Sequence, residues 1–573
     1  MTYRWNYLTL SSDQQNERNE LAEELQIDPV FAELLIHRGI YTKDEAIKFL
    51  HPTLDDLHDP FLMPDMEKAI KRIEKAIGNK ERILVYGDYD VDGTTAVSLV
   101  YKFFRKITSN LDYYIPDRYD EGYGISFQGI DYASSTDVKL IISLDCGIKA
   151  INKIAYAKEK GIDFIICDHH MPDENIPDAV AVVDAKRTDS IYPYNELSGC
   201  GVGFKLAQAF ALRNGLSFSE LEQLLDLVAV SIAADIVPIT GENRILMHHG
   251  LKQLNTNPCF GLRGIIEICG LTHKQITVND IVFKIGPRIN ASGRMMNGKE
   301  AVDLMLSTDM PLARIKSKNI DKYNEDRREL DKKITEEAIN YIDTQTDVNE
   351  HKSIVIYNEN WHKGIVGIVA SRLTERYYRP AIVLTKSNNN FISGSARSVV
   401  GFDVYKAIES CKDILVNFGG HTYAAGLTLE EKNLPEFKRR FDAISFDEIE
   451  SKMMLPQIIV DAEIPFSAIT PKFVQDLRLF NPFGPENENP IFLTRKVVDT
   501  GGSKLVGLGN RHTKLEVTDH TTNIPFSGIA FSSDGYYEEL KTKVPLDICY
   551  TIEENKRNIK RNVQLIVKDI RIS

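Results

Sequence analysis

A chain of 573 residues, 43% hydrophobic and 26% charged, is too long for one ordinary domain and too apolar to be disordered, so three or four globular domains are expected. Its net charge of −13 argues against a uniformly basic surface that coats itself with nucleic acid, and leaves room for a local basic cleft. No charge-free apolar run spans a bilayer, the opening residues lack a signal peptide's profile, and seven cysteines without zinc-type spacing fit a reduced compartment; the expectation is a cytoplasmic monomer with no membrane partner.

Up to Met66 the apolar spacing predicts helices at Val30–Arg38 and Asp44–Leu50, broken by Gly39 and Pro52. From Arg82 onward, strands and helices alternate. Ile83–Tyr86, Tyr113–Ile115, Leu140–Leu144, Phe164–Cys167 and Val180–Val183 are short apolar runs with helical segments between most of them, which predicts a mostly parallel sheet covered on both faces.

The ends of these runs carry the chemistry. The first runs into Gly87-Asp-Tyr-Asp-Val-Asp-Gly93, with Asp88, Asp90 and Asp92 at alternating positions ahead of a helix, Ala96 to Ile107, that Thr94 or Thr95 can cap. Two unit charges ~4 Å apart repel by about 4 kcal/mol at an effective dielectric near 20, and a divalent cation reverses that sign. Leu140–Leu144 ends in Asp145-Cys-Gly147, Phe164–Cys167 ends in Asp168-His169-His170, and the helix Leu224–Ala234 ends in Asp235 before Val237-Pro238. Taken singly, each acid is a common turn or cap residue and each histidine a common loop residue. Gathered at one edge of a parallel sheet, they form a carboxylate–imidazole site suited to Mn²⁺ or Mg²⁺.

Further on, Leu312–Tyr341 reads as a long solvated helix. A second α/β region, Lys352 to Phe446, opens with the strand Ser353–Tyr357. Its Gly-rich turns Gly394-Ser-Ala-Arg397 and Gly419-Gly-His421 can bring backbone N–H groups to a phosphate, although a lone Gly-Gly-His is more often a tight turn. Beyond Leu455 seven β segments predict a small closed barrel: Pro456–Asp461, Ile491–Asp499, Ser503–Val506, Thr513–Thr518, Ile524–Phe531, Leu546–Ile552 and Val563–Ile572. Lys504, Arg511, Lys514, Lys556, Arg557, Lys560 and Arg561 could track a phosphate backbone there, though charged hairpin residues are usually just solvated.

The segments Gly87–Gly93, Asp145–Gly147, Asp168–His170 and Ala234–Pro238 resemble the four motifs of the DHH phosphoesterase superfamily. Ile285–Arg294, Trp361–Arg372, Gly394–Ser398 and Gly419–Gly426 resemble one branch of it, the RecJ single-stranded-DNA-specific exonucleases. The resemblance covers nearly the whole chain. It implies a helical N-terminal segment (1–66), a mostly parallel-sheet DHH catalytic domain (67–310), a bridging helix (311–345), an α/β DHHA1 domain (346–447) and an all-β OB-type barrel (455–573).

For the site, the resemblance implies two ions, Mn²⁺ or Mg²⁺, ~3.5–4 Å apart. They would be held by Asp88, Asp90, Asp92, Asp145, His169 and Asp235, with Asp145 bridging; His170 either ligates or touches the scissile phosphate. Asp145, His169 and His170 are the expected catalytic residues. Arg288, Ser395, Arg397, Gly419, Gly420 and His421 join His170 as expected phosphate contacts. Relatives with pyrophosphatase activity carry a histidine where this chain has Tyr86, which makes pyrophosphate a poor substrate and leaves that place to Asp88.

The implied activity is 5′-to-3′ hydrolysis of single-stranded DNA to 5′-mononucleotides in repair and recombination, with a RecQ-type helicase and single-strand-binding protein as partners. Two rivals stand beside it. A phosphodiesterase of short oligonucleotides or cyclic dinucleotides would not need the barrel, and a non-catalytic replication factor of this fold would have lost acids that are all present here.

Overall fold

Five short strands, buried on both faces, line up in parallel in the order Leu111–Tyr114, Arg82–Gly87, Val138–Leu144, Asp163–Cys167, Ala181–Val183. Alternation decides which face each residue serves. Ile83 and Val85 pack under the helices Val91–Arg105, Gly199–Arg213 and Leu225–Asp235, while Leu84 and Tyr86 pack under Phe127–Ser135 and Ile151–Glu159. The register sets Tyr86 beside Ser143 and Leu144 beside Cys167, so the acids that follow these strands emerge at one edge.

The computed structural model describes residues 3–345, 350–387, 390–522, 524–531, 535–554 and 563–573; Lys556, Arg557, Lys560 and Arg561 lie outside the described residues. The helix after the first strand begins at Val91 rather than Ala96. Its cap is Asp90, whose carboxylate accepts the N–H of Gly93 at 3.0 Å. The hydroxyls of Thr94 and Thr95 instead donate back to the carbonyls of Asp90 and Val91, at 2.6 and 2.7 Å. An aspartate in extended backbone satisfies the orphan N–H first, which leaves the threonines inside the helix.

The helix Met310–Gln345 is 36 residues long, about 54 Å at 1.5 Å per residue. Ala313 and Ile320 belong to the first core, whereas Ile334, Ala338 and Ile342 join a separate core with Trp361, Val366 and Val369. One helix thus connects two packed units. The second unit is a sheet in the order Leu415–His421, Ala424–Glu430, Phe391–Arg397, Ala381–Lys386, Ile354–Tyr357. Both Gly-rich segments lie within strands, not in turns. A Cβ on Gly394 would sit 2.2 Å from the carbonyl oxygen of Val383, so glycine is what lets the neighbouring strand close there.

In the C-terminal unit the pairings run from Phe492–Asp499 to Leu546–Glu554, Val563–Ile572, Phe526–Ala530 and His512–Thr518. They return to the first strand through Val498 with Thr518 and Asp499 with Val517. Gln457–Val460 stands apart from this set. It pairs in parallel with Arg4–Tyr7, a strand in a segment expected to be mostly helical. The helices Ser12–Leu25, Pro29–Ile36 and Lys43–Leu50 share the core of this C-terminal unit; Phe31 lies 4.7 Å from Phe473, ring to ring. No helix among the described residues is long and apolar enough to cross a membrane.

Candidate metal centre and facing cleft

Acids and imidazoles from four separate strand and helix ends meet at the carboxyl edge of the parallel sheet. His169 Nε2 lies 3.1 Å from Asp145, 3.6 Å from Asp235 and 3.7 Å from Asp92. Two sets of donor atoms close enough to share an ion result: Asp145, His169 and His170, and Asp92, His169 and Asp235. Asp88 and Asp90 lie outside both sets but within electrostatic reach of them, since Asp90 acts on Asp88, Asp145 and Asp235.

Local structure explains how so many acids are held. The Asp92 carboxylate accepts the N–H groups of Gly199 and Cys200 at 2.6 and 2.7 Å, at the start of the helix Gly199–Arg213, and the Ser231 hydroxyl at 2.7 Å. Asp145 sits at φ 58°, a conformation aspartate tolerates better than most residues. A Cβ on Gly199 would lie 2.6 Å from Asp145 Cβ, so the helix start and the strand end can meet only with glycine at that position. Asp88 accepts the Gly124 N–H at 3.2 Å, and Tyr86 is a core residue whose hydroxyl donates to Gly124 O at 3.0 Å.

The electrostatics favour cations. Burial and the neighbouring acids push Asp88, Asp90 and Asp145 above the usual carboxylate range, and Asp235 up to about 8. Burial lowers His169, which keeps it a neutral lone-pair donor. Burial also works against charge on His170, but the Asp168 carboxylate, 2.7 Å from Nδ1, outweighs it and pushes His170 up to about 9. Asp168, which also accepts the Ile148 N–H, is thereby the residue that orients His170. Asp88 Oδ2, Asp145 Oδ2 and His169 Nδ1 are buried without a hydrogen-bond partner among the described residues. Orphaned acceptors among crowded acids are what a divalent-cation site requires, so this donor set fits Mn²⁺ or Mg²⁺.

A consequence is measurable. Because Asp235, raised to about 8, retains its proton near pH 7, Mn²⁺ binding must displace it, and the apparent affinity falls as pH falls. Calorimetric titrations in buffers of different ionisation enthalpy should give different heats. Identical heats in every buffer would contradict the crowding.

Across from the acids lies a cleft of about 390 Å³, lined by Tyr89, Arg118, Tyr119 and Tyr123 of the first unit and by Ser395, Asn417, Phe418 and Gly419 of the second. Behind it, Arg294 is pushed down to about 10 by burial and by Arg118, Arg327 and Arg397. Arg294 donates to Gly364 O and Arg397 to Ala396 O, both at 2.8 Å; among the described residues Arg118, Arg294 and Arg397 form no ion pair with a carboxylate. Uncompensated guanidinium groups around a cleft make an anion site. Burial and, after it, the charges of His170, Lys149 and Lys186 lower the pKa of His421, the last residue of the strand Leu415–His421. Gly420, between Gly419 and His421, pairs with Ala425 in the same sheet. Arg288 is placed differently: it donates to Asp321 of the long helix and to Lys284 O, both at 2.8 Å, and does not line the cleft.

Arg118 and Tyr123, which line the cleft, and Arg294 behind it are thus residues that sequence reasoning missed. Arg118 and Tyr123 lie in the polar stretch Pro116–Gly124 after the strand Leu111–Tyr114, which ends on the same edge as the acids. Arg294 closes the segment Ile285–Arg294, in which the sequence alone points only to Arg288.

Comparison with known proteins matches three family models: the DHH family N-terminal domain over residues 82–232, the DHHA1 domain over 350–445 and the RecJ OB domain over 460–569. The chain is similar to the single-stranded-DNA-specific exonuclease RecJ of Bacillus subtilis, 36% identical over 561 residues, covering 98% of this chain and 70% of that relative. It is also similar to that of Salmonella typhimurium, 30% identical over 578 residues, covering 97% and 98%. Among solved structures, RecJ from Thermus thermophilus in complex with Mn²⁺ superposes with a TM-score of 0.84 at 26% identity, covering 99% of this chain and 79% of that one.

Proposed function

The chain belongs to the RecJ family of single-stranded-DNA-specific exonucleases, and on that premise we propose that it hydrolyses single-stranded DNA stepwise from the 5′ end, releasing 5′-mononucleotides. The observation that carries this reading is a crowded acid–imidazole cluster joined through the His170–Tyr123 contact to a cleft lined by Arg118, with Arg294 and Arg397 near it and none of the three arginines paired with a carboxylate among the described residues. Uncatalysed phosphodiester hydrolysis is so slow that on the order of 20 kcal/mol of barrier must be removed. Asp88, Asp90, Asp92, Asp145, His169 and Asp235 are the groups that would hold two divalent cations, which when bound supply Lewis acidity at the scissile phosphate.

The chain's own residues do the positioning. His170, charged and held by Asp168, presents Nε2 to the cleft beside the Tyr123 hydroxyl, 3.2 Å away, and donates a hydrogen bond to the scissile phosphate. Arg118, Arg294, Ser395 and Arg397 receive the terminal phosphate, with Gly419, Gly420 and His421 closing over it from the second unit. The ring faces of Tyr89, Tyr123 and Phe418 offer stacking to the first bases. The C-terminal unit, with Lys504, Arg511 and Lys514, holds the rest of the strand. On this reading residues 67–310 are the catalytic domain, 311–345 the bridge, 346–447 its lid and 455–573 the strand-holding domain. The enzyme would act as a cytoplasmic monomer in repair and recombination, downstream of a RecQ-type helicase and beside a single-strand-binding protein.

A long 5′-labelled strand and a dinucleotide, each with and without Mn²⁺, separate the candidates. Labelled mononucleotide released from the long strand only with Mn²⁺ is the expected result. Cleavage of the dinucleotide alone would favour the short-oligonucleotide phosphodiesterase, and binding without cleavage would favour the non-catalytic factor.

A further inference from the structure

Arg244 is buried, 2% exposed, in the helix Gly241–Thr256, and among the described residues no carboxylate pairs with it. Its five bonds all go to backbone carbonyls: Nε to Phe49 at 2.8 Å, Nη1 to Phe480 and Pro482 at 2.9 and 3.3 Å, and Nη2 to Leu479 and Asn481 at 2.9 and 3.0 Å. That uses every N–H a guanidinium has. The acceptors belong to two helix ends far apart in sequence. Phe49 is in the last turn of the helix Lys43–Leu50, and Leu479–Pro482 is where the helix Pro471–Arg478 stops, so a cation meets the negative ends of two helices. The guanidinium also lies 3.9 Å from the centre of the Phe49 ring.

A second joint stands beside the first. Asn487 donates to the carbonyls of Phe480 and Pro482, both at 2.9 Å, and accepts from Arg38 Nε at 2.8 Å. The Ile239 N–H donates to Pro485 O at 2.8 Å. The joined segment also connects to the metal centre. Asp235 ends the helix Leu225–Asp235, and the chain then turns through Ile239 and Thr240 into the helix that carries Arg244. That helix is itself pinned by buried Glu242, which accepts from Lys205 at 2.8 Å and from the His58 N–H at 2.9 Å.

We propose that Arg244 is a positioning residue that fixes the strand-holding C-terminal unit at a set distance from the acid cluster, so that a strand bound by that unit enters the cleft in register. This rests on the reading of the cluster as the site of strand hydrolysis and of the C-terminal unit as the strand holder. Loss of the clasp leaves the metal-holding groups in place and loosens only the unit that feeds them. It therefore acts on long strands and spares a trinucleotide too short to reach that unit.

The test compares KM and kcat on a long single strand and on a trinucleotide, with Mn²⁺ affinity measured alongside. Arg244→Lys keeps the charge but offers three donors in place of five. The expected result is a KM for the long strand raised about tenfold with kcat unchanged, and with trinucleotide kinetics and Mn²⁺ affinity at wild-type values. Arg244→Met should do more. Asn487→Ala, which removes bonds to the same carbonyls without touching Arg244, should give a smaller rise of the same kind and carries the test if the arginine variants do not fold. An equal loss on both substrates, or a lowered melting temperature with an unchanged ratio of the two KM values, would overturn the inference. A wild-type protein that cleaves no single strand would instead overturn the function on which it rests.

Discussion

Asp145→Ala and Asp145→Asn are expected to abolish strand hydrolysis, by at least about a thousandfold, without lowering the melting temperature of the metal-free protein. Asp145 is 1% exposed, its Oδ2 has no hydrogen-bond partner among the described residues, and burial with Asp92 and Asp90 raises its pKa well above the carboxylate range. An acid whose folded pKa exceeds its unfolded one holds more protons folded than unfolded. Its ionisation therefore costs stability, and the cost grows as pH rises above the unfolded value. Removing the carboxylate relieves that cost, most at alkaline pH. Alanine returns part of the gain because φ is 58° there, a strain of about 1 kcal/mol; asparagine keeps the shape and tolerates the conformation, so it should melt higher than alanine. The stabilisation that Mn²⁺ gives the wild type should vanish in both. Wild-type turnover by either variant in Mn²⁺ would exclude Asp145 from the metal set.

The acid cluster was legible because its signal is local. Each acid directly follows an apolar run whose length and flanks mark it as a buried strand or helix, and a parallel sheet sends all such ends to one edge. The arginine side of the cleft was not legible in the same way. Arg118, Arg294 and Arg397 come from segments that share no periodicity, and the packing of the second unit against the first brings Arg397 to the other two. Glycine misled in the opposite direction. Gly394 and Gly419 read as turn formers, yet both lie in strands; at Gly394 the neighbouring strand needs the space of a side chain, whereas a Cβ on Gly419 would meet nothing within 4 Å. Arg4–Tyr7 is a four-residue strand whose partner, Gln457–Val460, comes from the far end of the chain. No window of sequence holds both halves, so neither that pairing nor the Arg244 clasp could be read before the fold was known.

The remaining large effect concerns how an end is told from an interior site. A 5′-phosphate carries charge that only a terminus has, and a planar arginine fork can bind it through two parallel bonds. Arg397 ends the strand Phe391–Arg397, donates to Ala396 O, and lies near enough to Arg294 to depress its pKa. Gly367 packs against both Arg397 and Ser395: a Cβ there would stand 3.4 Å from Arg397 Nη2 and 3.2 Å from Ser395 Oγ, which puts the two side chains on one wall. If Arg397 merely joined the units through an acid, its removal would destabilise the protein. No such acid pairs with it among the described residues, and its loss takes one of several like charges out of a crowded site. Arg397→Ala is therefore expected to melt at the wild-type temperature. It should lose about 2 kcal/mol of binding, roughly thirtyfold in kcat/KM, on a 5′-phosphorylated strand, and much less on a 5′-hydroxyl strand. Product length should also become less uniform, because the terminal phosphate no longer stops the strand with its first linkage over the acids. A variant that keeps the wild-type preference for the phosphorylated end would rule out Arg397 as that stop, and the terminal contact would then fall to Arg118 and Arg294.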